Sequence, residues 1–341
     1  MNPTIVQGAS PLISVVVIGR NEGERLKRCL ESVGGMTCHN FQTEIIYVDS
    51  GSSDGSLLTA AGLEAETISL HSTRPTAALG RNAGWKVGHG EFVLFLDGDT
   101  VLEPNFLASA LLNFADPGIA IVWGHRREIC PNASVYNRVL DLDWIYPPGL
   151  TAFCGGDALF RRSMLVATGG FDDTLIAGEE PELCRRIVAM GGRILHVNHA
   201  MTGHDLAMHH FHQYWKRASR AGHAFAEVSA RFTSTPHPFW LEESTHNRTR
   251  AMLLLGVPLF ALTFSLAFKS LWPMIALVIL FFAIVARTVW KARWKTNDRL
   301  TLLLYGIHSH FQQIPIFVGQ LQYWINRRRG TRARLVEYKR N

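Results

Sequence analysis

The chain has 341 residues, 47% of them hydrophobic and 18% charged, with a formal net charge of +6. That length suits one large domain or two smaller ones, and so small a charged share directs attention to membrane segments. The five cysteines (Cys29, Cys38, Cys130, Cys154 and Cys184) are odd in number and form no CxxC, which excludes a disulfide framework and a zinc site and predicts free thiols in a reducing compartment.

The opening MNPTIVQGASPL has no basic stretch followed by an apolar one, so no signal peptide is expected and the domain is assigned to the cytoplasm. Three strand-like runs follow: ISVVVIG (Ile13 to Gly19), EIIYVDSG (Glu44 to Gly51) and EFVLFLDGD (Glu91 to Asp99). Continuous apolar runs suit strands buried on both faces of a parallel sheet. Between them, NEGERLKRCLESV sets Leu26, Leu30 and Val33 on one helical face, and SDGSLLTAAGL begins with capping residues, Asp54 among them. Alternating strands and helices predict an α/β fold with helices flanking a mostly parallel sheet. In such sheets ligands sit beyond the carboxyl ends of the strands. Polar residues gather there: Arg20, Asn21 and Glu22, then Asp49 and Ser50, then Asp97 and Asp99.

Near residue 250 the pattern changes. AMLLLGVPLFALTFSLAF (Ala251 to Phe268) and LWPMIALVILFFAIVA (Leu271 to Ala286) are each just short of a membrane span and predict a transmembrane helical hairpin over 251–287 after a linker at 236–250. HNRTR before the pair and RTVWKARWK after it place basic residues and Trp at both outer ends, as expected of the cytoplasmic side. Residues 300–326 are apolar but broken by His308, His310, Gln312, Gln313 and Pro315. A third full span would put the basic tail at 327–341 on the wrong side, so an interfacial or re-entrant helical segment is expected. The tail fits anionic membrane lipid better than nucleic acid, of which no other module is visible.

Chemistry concentrates in a few stretches. On a strand, carboxylates at i and i+2 point to one side, so at this strand end Asp97 and Asp99 could share a hard cation, Mn²⁺ or Mg²⁺, with a substrate phosphate; Asp-Gly-Asp is also good turn chemistry. In GRNAG (Gly80 to Gly84), Arg81 can meet a phosphate or a base edge, or simply start a helix. Asp49 can accept from a nucleobase or ribose hydroxyl, or cap a helix. GEEPELCRR (Gly178 to Arg186) starts a helix at Pro181, spaces Glu182 and Arg186 for a pair, and offers Glu179 or Glu180 as a general base whose ionised form the helix N-terminus favours.

In order, VVVIGRNE, IIYVDSGSSDGS, GRNAGWKVGHGEFVLFLDGDT, GGDALFRR and GEEPELCRR resemble the family 2 glycosyltransferases of the GT-A fold, over about the first 230 residues. The resemblance implies a Rossmann-like catalytic domain over 1–235. It implies an inverting, metal-dependent transfer from a UDP- or GDP-linked sugar. The nucleotide side would be Gly19, Arg20, Asn21, Glu22, Asp49 (holding the base), Arg81 and Asp97. The metal would be held by Asp99, with Asp97 reaching ribose or metal and His204, from HVNHAMTGHDL, completing the set. Glu180 falls on the position of the base, where the family more often has Asp, so Glu179 and Glu180 stay open. Gly155, Gly156 and Asp157 fall on the acceptor-side loop. Gly203 to Phe225 reads as an amphipathic helix with Phe211, Trp215 and Ala218 on one face; its QYWKR lacks the final Trp of the processive synthases' Gln-x-x-Arg-Trp element. A single transfer to a lipid-linked saccharide at the inner membrane, in glycan or exopolysaccharide synthesis, is therefore expected. A processive synthase and a non-catalytic nucleotide-sugar-binding scaffold are the alternatives.

Overall fold

A computed structural model describes residues 10–37, 40–236 and 238–331. Cys38 and residues 332–341, most of the expected basic tail, lie outside the described residues. Strand β1 (Leu12–Gly19) is buried from Ile13 to Val17, as a strand covered on both faces must be. Helix α1 (Glu24–Gly34) buries Leu26, Cys29, Leu30 and Val33, the stripe its spacing predicts. Then come β2 (Gln42–Asp49), α2 (Ser56–Gly62), β3 (Glu66–Ser69), α3 (Ala77–Val87) and β4 (Phe92–Asp97). Strands β3, β2, β1 and β4 pair in parallel in that order. Gly19 therefore stands opposite Asp49, and Ile18 opposite Asp97, so the polar strand ends share one edge.

GRNAG lies inside α3, whose N-cap Thr76 accepts from the Leu79 amide at 3.1 Å. A methyl at Gly84 would overlap Val16, so glycine is what lets the helix lie this close to the sheet.

Beyond β4 the sheet changes sense. The remaining elements to residue 204 are β5 (Thr100–Leu102), α4 (Phe106–Leu111), β6 (Ile119–Glu128), α5 (Val135–Asp143), β7 (Gly149–Thr151), β8 (Ala158–Arg161), α6 (Arg162–Thr168), α7 (Glu179–Ala189) and β9 (Arg193–His204). The order continues β4-β8-β6-β9-β5, with β8 antiparallel to β4 and β6, and β9 antiparallel to β5 and β7. The sheet is thus mixed: its first half is parallel, as expected, and the second half is not. Several of these strands are short or only partly buried, so they lack the continuous apolar signature of β1 and β4.

The chain divides into two units: Met1–Arg127 with Tyr146–Leu175 and Glu179–Asp205, and Glu128–Ile145 with Ile176–Gly178 and Leu206–Asn341. The first holds the sheet and its core. The second holds α5, α8 (Phe211–Phe232), α9 (Leu241–Phe268), α10 (Trp272–Ala292), α11 (Arg299–Phe311) and α12 (Gln313–Arg328). Where the sequence assigns residues up to 235 to the catalytic domain, α8 groups with the C-terminal helices. It also starts at Phe211, because Gly203 and His204 complete β9. Residues 241–250, expected as linker, are the first turns of α9.

Helices α9 and α10 are long and apolar enough to cross a membrane, and most of their surface is exposed. They turn at Lys269, which takes a left-handed conformation with φ 50°. The ambiguous segment forms two helices, α11 and α12. Where α8 meets α12, a methyl on Gly222 or Gly319 would overlap the facing carbonyl of Ile316 or Ser219, so glycine permits backbone contact. A buried polar chain joins α8, α11 and α5: Tyr214 Oη lies 2.8 Å from His308 Nδ1, and His308 Nε2 3.1 Å from Asp143 Oδ2.

Candidate active site

The ends of β1 and β2 are tied to each other. Asn21, at φ 55°, accepts from the Ser53 amide at 2.7 Å, and its own amide donates to Ser52 Oγ at 2.8 Å. Gly19 leaves room for the Tyr47 ring, whose nearest atoms would stand 3.4 Å from an added Cβ. Arg20 follows it, partly exposed, and Glu22 pairs with Arg25 at 3.0 Å. Asp49 is 1% exposed and accepts from Tyr47 Oη at 3.0 Å, the Gly51 amide at 3.0 Å and the Ser52 amide at 2.8 Å. Its carboxylate thereby shapes the loop after β2.

At the end of β4 a second group of carboxylates surrounds one guanidinium. Arg81, 2% exposed, donates through Nη2 to Asp97 Oδ1 at 2.9 Å and through Nη1 to Glu179 Oε1 at 3.0 Å; Glu180 Oε1 is also 3.0 Å from Nη1. Arg81 was expected to meet a phosphate or base edge; in the fold both terminal nitrogens hold carboxylates. The helical register of α3 aims it inward, and the first turn of α7 brings the two glutamates, with the Glu182–Arg186 pair closing at 2.7 Å behind them. Glu179 is nearly sealed, while the Glu180 side chain keeps 15% exposure.

Arg126 of β6 reaches the same group, 3.5 Å from Asp97 Oδ2 and 3.7 Å from Asp157 Oδ2. Two guanidiniums thus face four carboxyl groups. Burial and the charge of Glu179, with Asp97 adding to them against Arg81, push Glu180 up to about 7. The helix N-terminus was expected to favour its ionised form; in this site burial and like charges outweigh it.

The acceptor-side residues separate. Asp157 is 2% exposed, accepting from the Asp97 amide at 3.0 Å and Thr202 Oγ1 at 2.8 Å, so it braces the strand end from inside. Gly156 lets the backbone pass over the Arg81–Asp97 pair: an added Cβ would stand 2.7 Å from Arg81 Nη2 and 2.9 Å from Asp97 Oδ2. An added Cβ at Gly155 would meet nothing within 4 Å. Cys154 and Cys184 lie 3.6 Å apart as free thiols.

Asp99 and His204 make a separate pair. Strand β4 stops at Asp97, so the alternation that would set Asp97 and Asp99 on one side does not extend to Asp99. Asp97 turns to the arginines. Thr100 stands opposite His204 in the β5–β9 ladder, and Asp99 Oδ2 lies 3.2 Å from His204 Nε2, both side chains 5% exposed. Of the other two histidines in HVNHAMTGHDL, His196 packs its ring 4.2 Å from that of Trp123 and His199 is exposed. Among the described residues no group of three or more His, Cys, Asp or Glu side chains is placed to hold a metal, so the expected trio of Asp97, Asp99 and His204 does not assemble. One carboxylate and one imidazole nonetheless fit a divalent cation that takes its other ligands from a diphosphate and water.

Sequence reasoning missed Arg126, Thr202 and Ser52. Arg126 stands in GHRRE, a stretch with no motif character; the neighbour relation of β6 and β8 brings it in.

Comparison with known proteins gives these features a common frame. The family model described as Glycosyl transferase family 2 matches residues 14–166. The chain is 29% identical over 241 residues to the pre-mycofactocin glycosyltransferase of Mycobacterium tuberculosis, covering 66% of this chain and 48% of that one. It is 27% identical over 190 residues to glycosyltransferase AglE of Haloferax volcanii, covering 53% of this chain and 62% of the relative. It therefore spans about half the length of the first relative. Among solved structures, the mannosyltransferase PcManGT from Pyrobaculum calidifontis, in complex with GDP-Man and Mn²⁺, is similar with TM-score 0.59 at 19% identity, over 92% of this chain and 87% of that one. Glucosyl-3-phosphoglycerate synthase from M. tuberculosis has TM-score 0.50 at 20% identity, over 65% and 80%.

Proposed function

Because residues 14–166 of this chain are a family 2 glycosyltransferase domain on a GT-A fold, we propose that it transfers one sugar from a UDP- or GDP-linked donor to an acceptor hydroxyl, with inversion, using Glu180 as general base. The observation that carries this reading is the state of Glu180. It is a partly accessible carboxyl among three others, with its proton affinity raised to about 7. A base poised near the working pH takes a proton efficiently and is ionised often enough to do so. Glu180 would accept the acceptor's hydroxyl proton as oxygen attacks the anomeric carbon. Glu179, sealed against Arg81, would hold position beside it. The loop held by Asn21, Asp49 and Ser52 would form the floor of the nucleotide side. Asp99 and His204 would hold Mn²⁺ or Mg²⁺, which when bound neutralises charge on the departing diphosphate.

A lipid-linked saccharide is the acceptor class we favour, with the catalytic unit on the cytoplasmic face of the inner membrane. Trp272 and Trp290 bracket α10 at an axial separation of about 27 Å, close to a bilayer's hydrocarbon core. Arg293 lies 4.2 Å over the exposed Trp290 ring, chemistry suited to an anionic lipid interface. Leu300, Leu303, Ile307 and Phe311 make an exposed apolar stripe on α11, which supports an interfacial or re-entrant placement. Nucleoside diphosphate release by the bilayer-reconstituted protein, with nucleotide sugars, Mn²⁺ and polyprenyl-phosphate saccharides, tests the reading. Glu180→Gln should lose release while keeping donor binding; a Glu180→Gln variant with wild-type turnover would overturn the assignment.

A further inference from the structure

We propose that Arg81 is the positioning residue of this transfer: a single buried guanidinium that fixes Asp97 and Glu179 and holds Glu180 beside them, without touching the donor. The proposal rests on Glu180 being the base. It starts from occupancy of the fork. Nη2 is 2.9 Å from Asp97 and Nη1 is 3.0 Å from both glutamates, so both terminal nitrogens are engaged. A phosphate bound end-on by both terminal nitrogens would have to displace those carboxylates.

The surroundings are built to keep the fork in place. Phe171 lies below it, with the guanidinium carbon 5.6 Å from the ring centroid. The neighbouring Asn82 pins that phenylalanine's backbone in both directions: Nδ2 donates to the Phe171 carbonyl at 2.8 Å, and Oδ1 accepts from the Phe171 amide at 3.0 Å. Gly156 passes so close to Nη2 that no side chain fits. Both partners in RN of GRNAG therefore serve one structure, Arg81 by charge and Asn82 by holding what Arg81 rests on.

The groups facing Glu180 are Glu179 beside it on α7, Arg81 from α3, Asp97 from β4 and the thiol of Cys154 from the segment after β7. Only Arg81 among them is positive. Removing it takes away the main charge that favours the ionised base, so the base loses alignment and part of its ionisation.

The test uses the full chain in lipid nanodiscs, reading donor affinity by titration calorimetry and turnover by nucleoside diphosphate release between pH 5.5 and 9. Arg81→Gln should lower kcat at pH 7 by about 100-fold, the scale of a misplaced catalytic group. Its donor Kd should stay within about threefold, and the acid limb of the rate profile should move up by about one pH unit or more. Arg81→Lys keeps the charge but not the fork; it should regain part of kcat and most of the limb's position, and it serves as the readout if Arg81→Gln does not fold. A weakened donor Kd with an unmoved limb makes Arg81 a donor ligand and overturns the proposal. If Glu180→Gln abolishes turnover while neither Arg81 variant shifts the limb or lowers kcat, this proposal alone falls. Wild-type turnover in Glu180→Gln removes the base assignment and this proposal with it.

Discussion

Two neighbouring regions of one sheet treat buried carboxylates in opposite ways. At the end of β2, Asp49 receives three hydrogen bonds, two of them from backbone amides of its own loop. At the end of β4, Asp97, Asp157, Glu179 and Glu180 share two arginines. A buried charge whose partners are complete is a structural fixture; one left in surplus beside like charges is held ready to take a proton or face a cation. The contrast predicts that substitutions at the β4 end act on turnover and those at the β2 end act on stability.

The largest effect falls on the base. Glu180→Gln should cut turnover by about 1,000-fold with the thermal midpoint unchanged or raised, measured by nucleoside diphosphate release and calorimetry. Asp99→Asn should cost about 100-fold and flatten the dependence of rate on Mn²⁺ concentration; unchanged Mn²⁺ dependence would separate Asp99 from the metal. Gly156→Ala puts a methyl against Arg81 and Asp97 and should cost about tenfold in kcat with little change in donor affinity. The smallest effect on turnover belongs to Asp49→Asn, within about threefold, while stability drops by about 1–3 kcal/mol as the loop's amides lose a charged acceptor. A large loss of turnover with intact stability would erase the distinction between the two regions.

The sign of the pH dependence gives a further check. The folded state raises Glu180 from its ordinary value of 4.5 to about 7. Between those values the folded protein binds the extra proton, so the stability this group contributes is full at low pH and is lost as pH rises through about 7. Activity should run the other way, rising over the same window as the base ionises. Glu180→Gln should remove both trends.

The parallel half of the sheet was legible because its signal is local. The apolar runs of β1 and β4, the stripe of α1 and the acidic first turn of α7 each declare themselves within a dozen residues. The ordered motifs also named residues that the fold gathers at the end of β4. What the sequence did not carry was partnership. Arg81 meets Glu179 across 98 positions, and Arg126 arrives through the antiparallel half, where register is set by tertiary pairing. The strand-alternation argument for Asp97 and Asp99 failed at one residue, because the strand ends there and each carboxylate finds its own partner. For a related reason, no pattern reveals that Asp49 accepts from Tyr47 and from the amides after it.

The most direct test is the pH–rate profile of nucleoside diphosphate release by the membrane-reconstituted chain at saturating donor, with Glu180→Gln alongside. A base at Glu180 predicts a wild-type rate that rises to a plateau near or above pH 7, and a variant that is slow at every pH. A wild-type rate independent of pH across that window, or a variant that keeps the same rising limb, would contradict it.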